Sequence, residues 1–289
     1  GPRKLRDLPQ SVRDSQKFEN TLREAYIDLD FKNIPLSLRL GRQQIVWGET
    51  DNFRMLDRVN ALDLTWHLEQ EIELGRGWDQ LRIPYWMIKY LIRIPDAGPV
   101  TNQFVEGFWN PGDWYPNKRE FLPYSPWSLP VQSPFETGLG AATFPNGIAV
   151  GRLFRQGDYK RDPIDNSQVG VRWSGVVGGV QMTLNYMYMR WAGDDGTNSA
   201  ITRALSDPAQ QAAAIARGRA PVEYIVPYVH TIGLSANYFD GEYTGAVFKT
   251  ETVYDMGVPF TDGDKRPVAA IPIIYGVSKR DMWKGMVGF

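Results

Sequence analysis

Apolar and polar residues alternate with a period of two along three stretches of the chain, the repeat of a β-strand with one dry and one wet face. In LREAYIDLDFKNIPLSLRL, Leu22 to Leu40, Ala25, Ile27, Leu29 and Phe31 share one face, while Glu24, Tyr26, Asp28 and Asp30 share the other. A turn over Lys32 to Pro35 sets Leu29 opposite Leu38 and Ile27 opposite Leu40. The same register places Asp28 opposite Arg39, an opposite-charge pair, and Tyr26 opposite Gly41, whose bare backbone a ring can cover. In VGVRWSGVVGGVQMTLNYMYM, Val169 to Met189, two arms fold about Gly178–Gly179. Val177 then meets Val180, Trp173 meets Leu184 and Val171 meets Tyr186 on an apolar face, with Ser174 on Thr183 and Arg172 on Asn185 behind. HTIGLSANYFDGEYTGAVFKTETVY, His230 to Tyr254, is expected to turn at Asp240-Gly241 as a type I′ hairpin. That turn joins Ile232, Leu234, Ala236 and Tyr238 to Tyr243, Gly245 and Val247, sets Phe248 opposite Gly233, and leaves Lys249 on the far end of the apolar face.

The arms run for about nine residues, the length a tilted strand needs to cross a bilayer. The apolar face therefore packs on a second sheet or faces lipid. Between the hairpins, NALDLTWHLEQEIEL (Asn60 to Leu74) has helical spacing, and SDPAQQAAAIARG (Ser206 to Gly218) predicts a short helix with Pro208 in its first turn and Gly218 as its stop. FVEGFWNPGDWYPNKREFLPYSPWSLP, Phe104 to Pro130, is rich in Pro and aromatics and predicts a long ordered loop. Tight turns at one end with long loops at the other match outer-membrane barrels. No linker or repeat divides residues 1–289, so a single domain is expected.

A net charge of −1 offers no basic excess for nucleic acid. With no cysteine, disulfides and thiolate sites are excluded. The chain carries 10 Trp and 14 Tyr, but no apolar run approaches the roughly 20 residues of a membrane helix. This fits either a transmembrane barrel, whose hydrophobicity alternates and averages away, or an aromatic-rich sandwich that binds glycans.

Catalytic chemistry finds little support. The two histidines, His67 and His230, fall in no H-E-x-x-H pattern, and no G-x-S-x-G is present. The acidic runs at Asp194 to Asn198 and Thr261 to Asp264 lack calcium-loop spacing and read as turns. No catalytic residue, metal ligand or cofactor is expected. The polar faces carry Glu24, Asp28, Asp30, Arg39 and Arg172, followed by Arg42 and Gln43 where the alternation changes phase. In a barrel these line the lumen, as a charge filter or as wall-bracing ladders. Tyr186, Tyr188, Trp191, Tyr238 and Tyr243 are candidates for the aromatic girdle at the membrane interface.

The run Leu36 to Leu64 holds an R-L-G-R-Q-Q-x-V-W-G element and an N-A-L-D-L loop, through Leu40, Gly41, Arg42, Gln43, Gln44, Val46, Trp47, Gly48, Asp51, Asn60, Leu62 and Asp63. With RIPYWM from Arg82, VGVRWSG from Val169, FDGEYT from Phe239 and SKRDMWKGMVGF from Ser278, it resembles a family of large proteobacterial outer-membrane proteins bearing a domain-of-unknown-function label. The resemblance implies a Gram-negative outer-membrane location, with the lipid bilayer and its lipopolysaccharide as surroundings. It also implies a periplasmic carrier or RND-type exporter as partner, and a role in moving hydrophobic or lipid-like molecules. Family members are longer, so the chain is expected to be an internal portion. The family has no established catalytic residues, and none is carried over.

The expected fold is therefore all-β, a transmembrane antiparallel β-barrel or a large part of one, with short helices in long loops. The expected function is passive passage through a charged lumen, narrowed by loops around residues 60 to 75 and 104 to 130. A structural or partner-binding barrel with an occluded lumen and a soluble glycan-binding β-sandwich are the alternatives.

Overall fold

The computed structural model describes residues 22–49, 54–62, 81–114, 154–156, 165–191, 201–204, 222–225, 227–262, 264–265 and 276–289, with scattered positions between 209 and 217. The strands in chain order are β1 (Ala25–Asp30), β2 (Leu36–Gln43), β3 (Tyr85–Ile94), β4 (Val100–Asn110), β5 (Phe154–Gln156) and β6 (Gln168–Val177). They continue as β7 (Val180–Arg190), β8 (Ile201–Ala204), β9 (Val222–Ile225), β10 (Tyr228–Asp240), β11 (Ala246–Asp262) and β12 (Gly276–Gly288). Nine of them form one antiparallel sheet in the order β1-β2-β3-β4-β6-β7-β10-β11-β12, and β5-β9-β8 form a small second sheet. The large sheet is a meander whose edges, β1 and β12, do not pair with each other. No helix among the described residues is long and apolar enough to cross a membrane.

All the short connections lie at one end of the large sheet: residues 31–35, 95–99, 178–179 and 241–245. The other four links, 44–84, 111–167, 191–227 and 263–275, are long and join strand ends on the opposite side. The pairing carries single rows across all nine strands. One runs Leu29, Leu38, Tyr90, Gly107, Val171, Tyr186, Ile232, Tyr254, Trp283. Ile232, Tyr254 and Trp283 in it are exposed, and so are Leu184, Leu234 and Phe248 on the same face. A row of the opposite face runs Asp28, Arg39, Lys89, Phe108, Gly170, Met187, Thr231, Asp255, Met282, and from Met187 to Asp255 it is buried. One face of the sheet is thus apolar and bare, and the other is polar and covered.

The first two hairpins take the registers their sequences require. Asp28 lies opposite Arg39 and Tyr26 opposite Gly41, where a Cβ would sit 2.6 Å from the Tyr26 Cα and Gly41 adopts φ 139°. Val177–Val180, Trp173–Leu184 and Arg172–Asn185 pair as expected, about Gly178 and Gly179 at φ 57° and 84°.

The third hairpin differs. Asp240 pairs with Ala246, so the turn is the five-residue loop 241–245 and not a two-residue type I′ turn. The Asp240 carboxylate accepts the N–H groups of Glu242, Tyr243 and Thr244 at 3.1–3.3 Å, and the Gly245 N–H donates to the Asp240 carbonyl at 2.7 Å. The register moves by an odd number of residues, which sends every β11 side chain to the other face. Gly233 meets Val253, Tyr238 meets Phe248, and Lys249 joins the polar face opposite Asn237.

Phe104 to Asn110 corrects a second expectation, being the second half of β4 and no loop. Its alternation of Phe104, Glu106 and Phe108 against Val105, Gly107 and Trp109 outweighs the prolines that begin at Pro111, and residues 115–130 lie outside the described residues. Of the helix expected over 60–74, Asn60 to Leu62 are extended or bent, Leu62 bridges Arg82, and His67 with the rest lies outside the described residues. In the stretch 206–218 only Ala209, Ala212, Ala213, Ala216 and Arg217 are described. The four alanines are helical, and the Arg217 N–H donates to the Ala213 carbonyl at 3.1 Å. Of the turn expected over 261–264, Thr261 and Asp262 instead end β11 and Asp264 lies in a turn, its N–H donating to the Asp262 carboxylate at 3.0 Å, while residues 194–198 lie outside the described residues.

Candidate functional site

The polar face is covered by the chain that leaves β2. Residues 44–49 and 54–62 fold back over β4, β6, β7, β10 and β11 as two limbs. Their own bonds tie them together: the Ile45 N–H donates to Asn60 Oδ1 at 2.8 Å, and Asn60 Nδ2 to the Ile83 carbonyl at 2.8 Å. Arg54 Nε donates to the Asp57 carbonyl at 2.7 Å, the Ala61 N–H to Tyr85 Oη at 3.1 Å, and Arg82 pairs with Asp57. Burial drives the Arg54 guanidinium down from its ordinary value to about 10, because few water molecules or counter-charges replace its hydration.

Packing explains why the limbs turn inward. Ile45, Trp47, Met55, Leu56 and Val59 are buried in one cluster with Phe108, Met187, Met189, Trp191, Val229, Val253 and Val258 of the wall. Two glycines of the wall act as sockets. A Cβ at Gly170 would overlap Phe108 and lie 2.9 Å from Trp47 Cζ3, and one at Gly233 would lie 3.1 Å from Leu56 Cγ. The Trp47 and Phe108 rings meet edge to face at 5.3 Å.

Three wall carboxylates then hold the limbs. Glu106 accepts Trp47 Nε1–H at 2.9 Å and faces Arg172 at 3.2 Å and Lys89 at 3.8 Å. Glu251, fully buried, accepts the backbone N–H groups of Glu49 and Leu56, each at 2.7 Å. Asp255, equally buried, takes Arg58 in a forked pair at 2.6 and 3.2 Å, Lys284 at 2.9 Å and the Thr231 hydroxyl at 2.5 Å. Arg58 and Lys284 also lie 5.0 and 5.1 Å from the Trp191 ring.

The residues singled out from sequence separate into groups. Arg39 forks onto Asp28 at 2.7 and 2.9 Å while stacking over Tyr26 at 3.8 Å. Asp30 receives the Ser37 hydroxyl and faces Arg93 at 3.9 Å, and Glu24 accepts the Gln44 N–H at 2.9 Å. Arg172 is drawn in beside Glu106. Gln43 is fully buried and donates to the Met87 carbonyl at 3.0 Å, bracing β2 to β3. Arg42 pairs across the sheet with Ala25 and Trp86, in phase with Leu38 and Leu40, and so belongs to the apolar face. Among the aromatics, Tyr186 and Tyr188 form an outer cluster at the long-loop end. Tyr186 bonds His230 Nδ1 at 2.8 Å, and Tyr188 stacks on Tyr228 at 4.7 Å. Tyr238 is exposed at the opposite end, and Tyr243 sits on the hairpin loop. Trp191 is no surface aromatic: at 5% exposure it belongs to the buried cluster, since the chain turns inward after β7.

The sequence reading missed Trp47, Arg58, Glu106, Glu251, Asp255 and Lys284. A signal was present for the two β11 acids. The two-residue turn placed Lys249, and with it Glu251 and Asp255, on the apolar face, and three buried or paired charges are a reason to reject such a register.

The arrangement defines an antiparallel sheet protein with one bare apolar face and one charged face on which a part of the same chain is docked. The chain belongs to the family described as protein of unknown function (DUF1302), whose model matches residues 2–289. No curated protein and no solved structure matches it.

Proposed function

We propose that this chain forms an outer-membrane β-barrel, or a large part of one, that serves as a channel or transport component. The observation that carries this is the apolar row continuous through all nine strands of the meander, backed by charges. Exposed apolar patches on soluble monomers rarely exceed a few hundred Å², whereas a lipid-facing wall requires one. Segregation of tight turns to one end supports the same reading. In this reading the free edges of β1 and β12 are closed by further strand pairing in the membrane, because lipid leaves no partner for an open edge.

The lumen is then lined by Asp28, Asp30, Arg39, Lys89 and Arg93 on one side and narrowed on the other by the docked limbs. Hydrophobic or lipid-like solutes, an RND-type exporter and a periplasmic carrier belong to this proposal through the family resemblance alone. The extent of the docked core favours a second reading, a barrel whose lumen is occluded and which serves partners or structure.

Heat-modifiability of detergent-extracted membranes tests the barrel, and conductance after reconstitution tests passage. A shift with unitary conductance is expected. A shift without conductance would leave the occluded barrel, and protein without a shift in the soluble fraction would leave the glycan-binding sandwich.

A further inference from the structure

We propose that the two limbs, residues 44–49 and 54–62, are a displaceable gate, latched to the wall by Glu251 and Asp255 of β11. The inference rests on the barrel reading above and adds regulation to it.

The bonding divides unevenly. Ile45 bonds Asn60 between the limbs and Arg54 bonds Asp57 within one of them, while Asp57, Asn60 and Ala61 are tied to Arg82, Ile83 and Tyr85 at the entry to β3, the side on which the limbs stay attached. Toward the wall the polar ties are few and concentrated. Glu251 reaches both limbs at once, through the N–H of Glu49 and the N–H of Leu56. Asp255, four residues on along the same face of β11, holds Arg58, which also donates to the Thr231 hydroxyl of β10 at 3.1 Å. From β4, Glu106 adds one bond to Trp47.

The wall is also arranged to survive release. When Arg58 leaves, Asp255 retains Lys284 and the Thr231 hydroxyl, so no isolated charge is left buried. Glu251 has no cation partner among the described residues, and its two bonds are both to limb backbone. Displacement exchanges those two donors for water, which hydrates a carboxylate well. The glycine sockets at Gly170 and Gly233 present no side chains that would interlock with the departing Trp47 and Leu56. Docked and released states differ by these polar ties and by the burial of Ile45, Trp47, Met55, Leu56 and Val59, two discrete arrangements of the kind a two-state element requires.

The chain has no cysteine, so Leu56→Cys provides a single thiol at a position that is fully buried when the limbs are docked. Its reaction with a water-soluble maleimide is measured in proteoliposomes of the 289-residue chain, alone and combined with Glu251→Leu or Arg58→Gln. Glu251→Leu leaves two limb donors without an acceptor, so labelling should accelerate about tenfold or more. Arg58→Gln removes the other tie and should act in the same direction, and it carries the comparison if Glu251→Leu does not fold. Heat-modifiability of each variant shows that the barrel itself is intact. Unchanged labelling in folded variants would overturn the latch. Faster labelling without conductance in any variant would retain the latch and overturn the transport reading, and conductance with unchanged labelling would do the reverse.

Discussion

Leu234→Arg distinguishes a lipid-facing wall from a wet one. Leu234 is 47% exposed and lies between Leu184 and Thr252 on the apolar face. It is the midpoint of the 13-residue strand β10, six residues from Tyr228 and six from Asp240. At about 3.4 Å per residue and a tilt near 45°, that is about 14 Å of depth from either end, close to the middle of an apolar layer about 25–30 Å thick. An arginine on the lipid face at that depth costs about 2–4 kcal/mol, which lowers the folded-to-unfolded ratio about 30- to 700-fold. On a water-facing sheet the same change at an exposed leucine stays within about 0.5 kcal/mol. Tyr238→Arg, four residues nearer the short turns, should cost only about 0–1 kcal/mol in lipid. The assay is reversible urea unfolding into phospholipid vesicles, followed by tryptophan emission. A large loss for Leu234→Arg with a small one for Tyr238→Arg is the expected pattern. Equal changes within about 0.5 kcal/mol at both sites would place the face in water and refute the membrane reading.

Other consequences concern the covered face and the turns. Gly170→Val places new carbon atoms against Phe108 and Trp47, and this overpacking should cost about 1–3 kcal/mol in the same unfolding assay, with Gly285→Ala, 3.4 Å from the Trp283 ring, as the mild control. Asp255→Asn removes the buried carboxylate that Arg58 and Lys284 share and should cost about 3–5 kcal/mol. Asp28→Asn, in a half-exposed pair screened by water, should cost no more than about 1 kcal/mol, and a reversal of this order in urea midpoints would contradict the assigned faces. Asp240→Ala removes the acceptor for three loop N–H groups, and limited proteolysis should then cut within 241–245 faster than in the parent.

Strand existence and two of three hairpin registers were readable from local alternation, because each of those hairpins has one register that satisfies both faces. Asp28 with Arg39, Tyr26 over Gly41, and Val177 with Val180 each follow from neighbours a few residues apart. The third hairpin failed on a turn signal. Asp240-Gly241 reads as a two-residue turn, but the Asp240 carboxylate captures three further N–H groups and lengthens the loop. β4 was hidden by the aromatic and proline-rich run that follows it.

The docked limbs were not readable in this way. Glu251 meets Glu49 and Leu56 about 200 positions away, Arg58 meets Asp255 at a separation of 197, and Trp47 meets Glu106 at 59. No local period encodes such pairs. The R-L-G-R-Q-Q-x-V-W-G element marked the place without its purpose, since Trp47 becomes a plug for Gly170 only when β6 is brought beside it. By itself the sequence determined which residues alternate, and hence that the protein is a sheet with one apolar and one charged face, because strand periodicity is a property of neighbours. Only the tertiary structure decided which charges are buried, which aromatic turns inward and what covers the polar face. Those depend on surfaces that meet after the chain has closed its long loops, where burial and charge pairing act together.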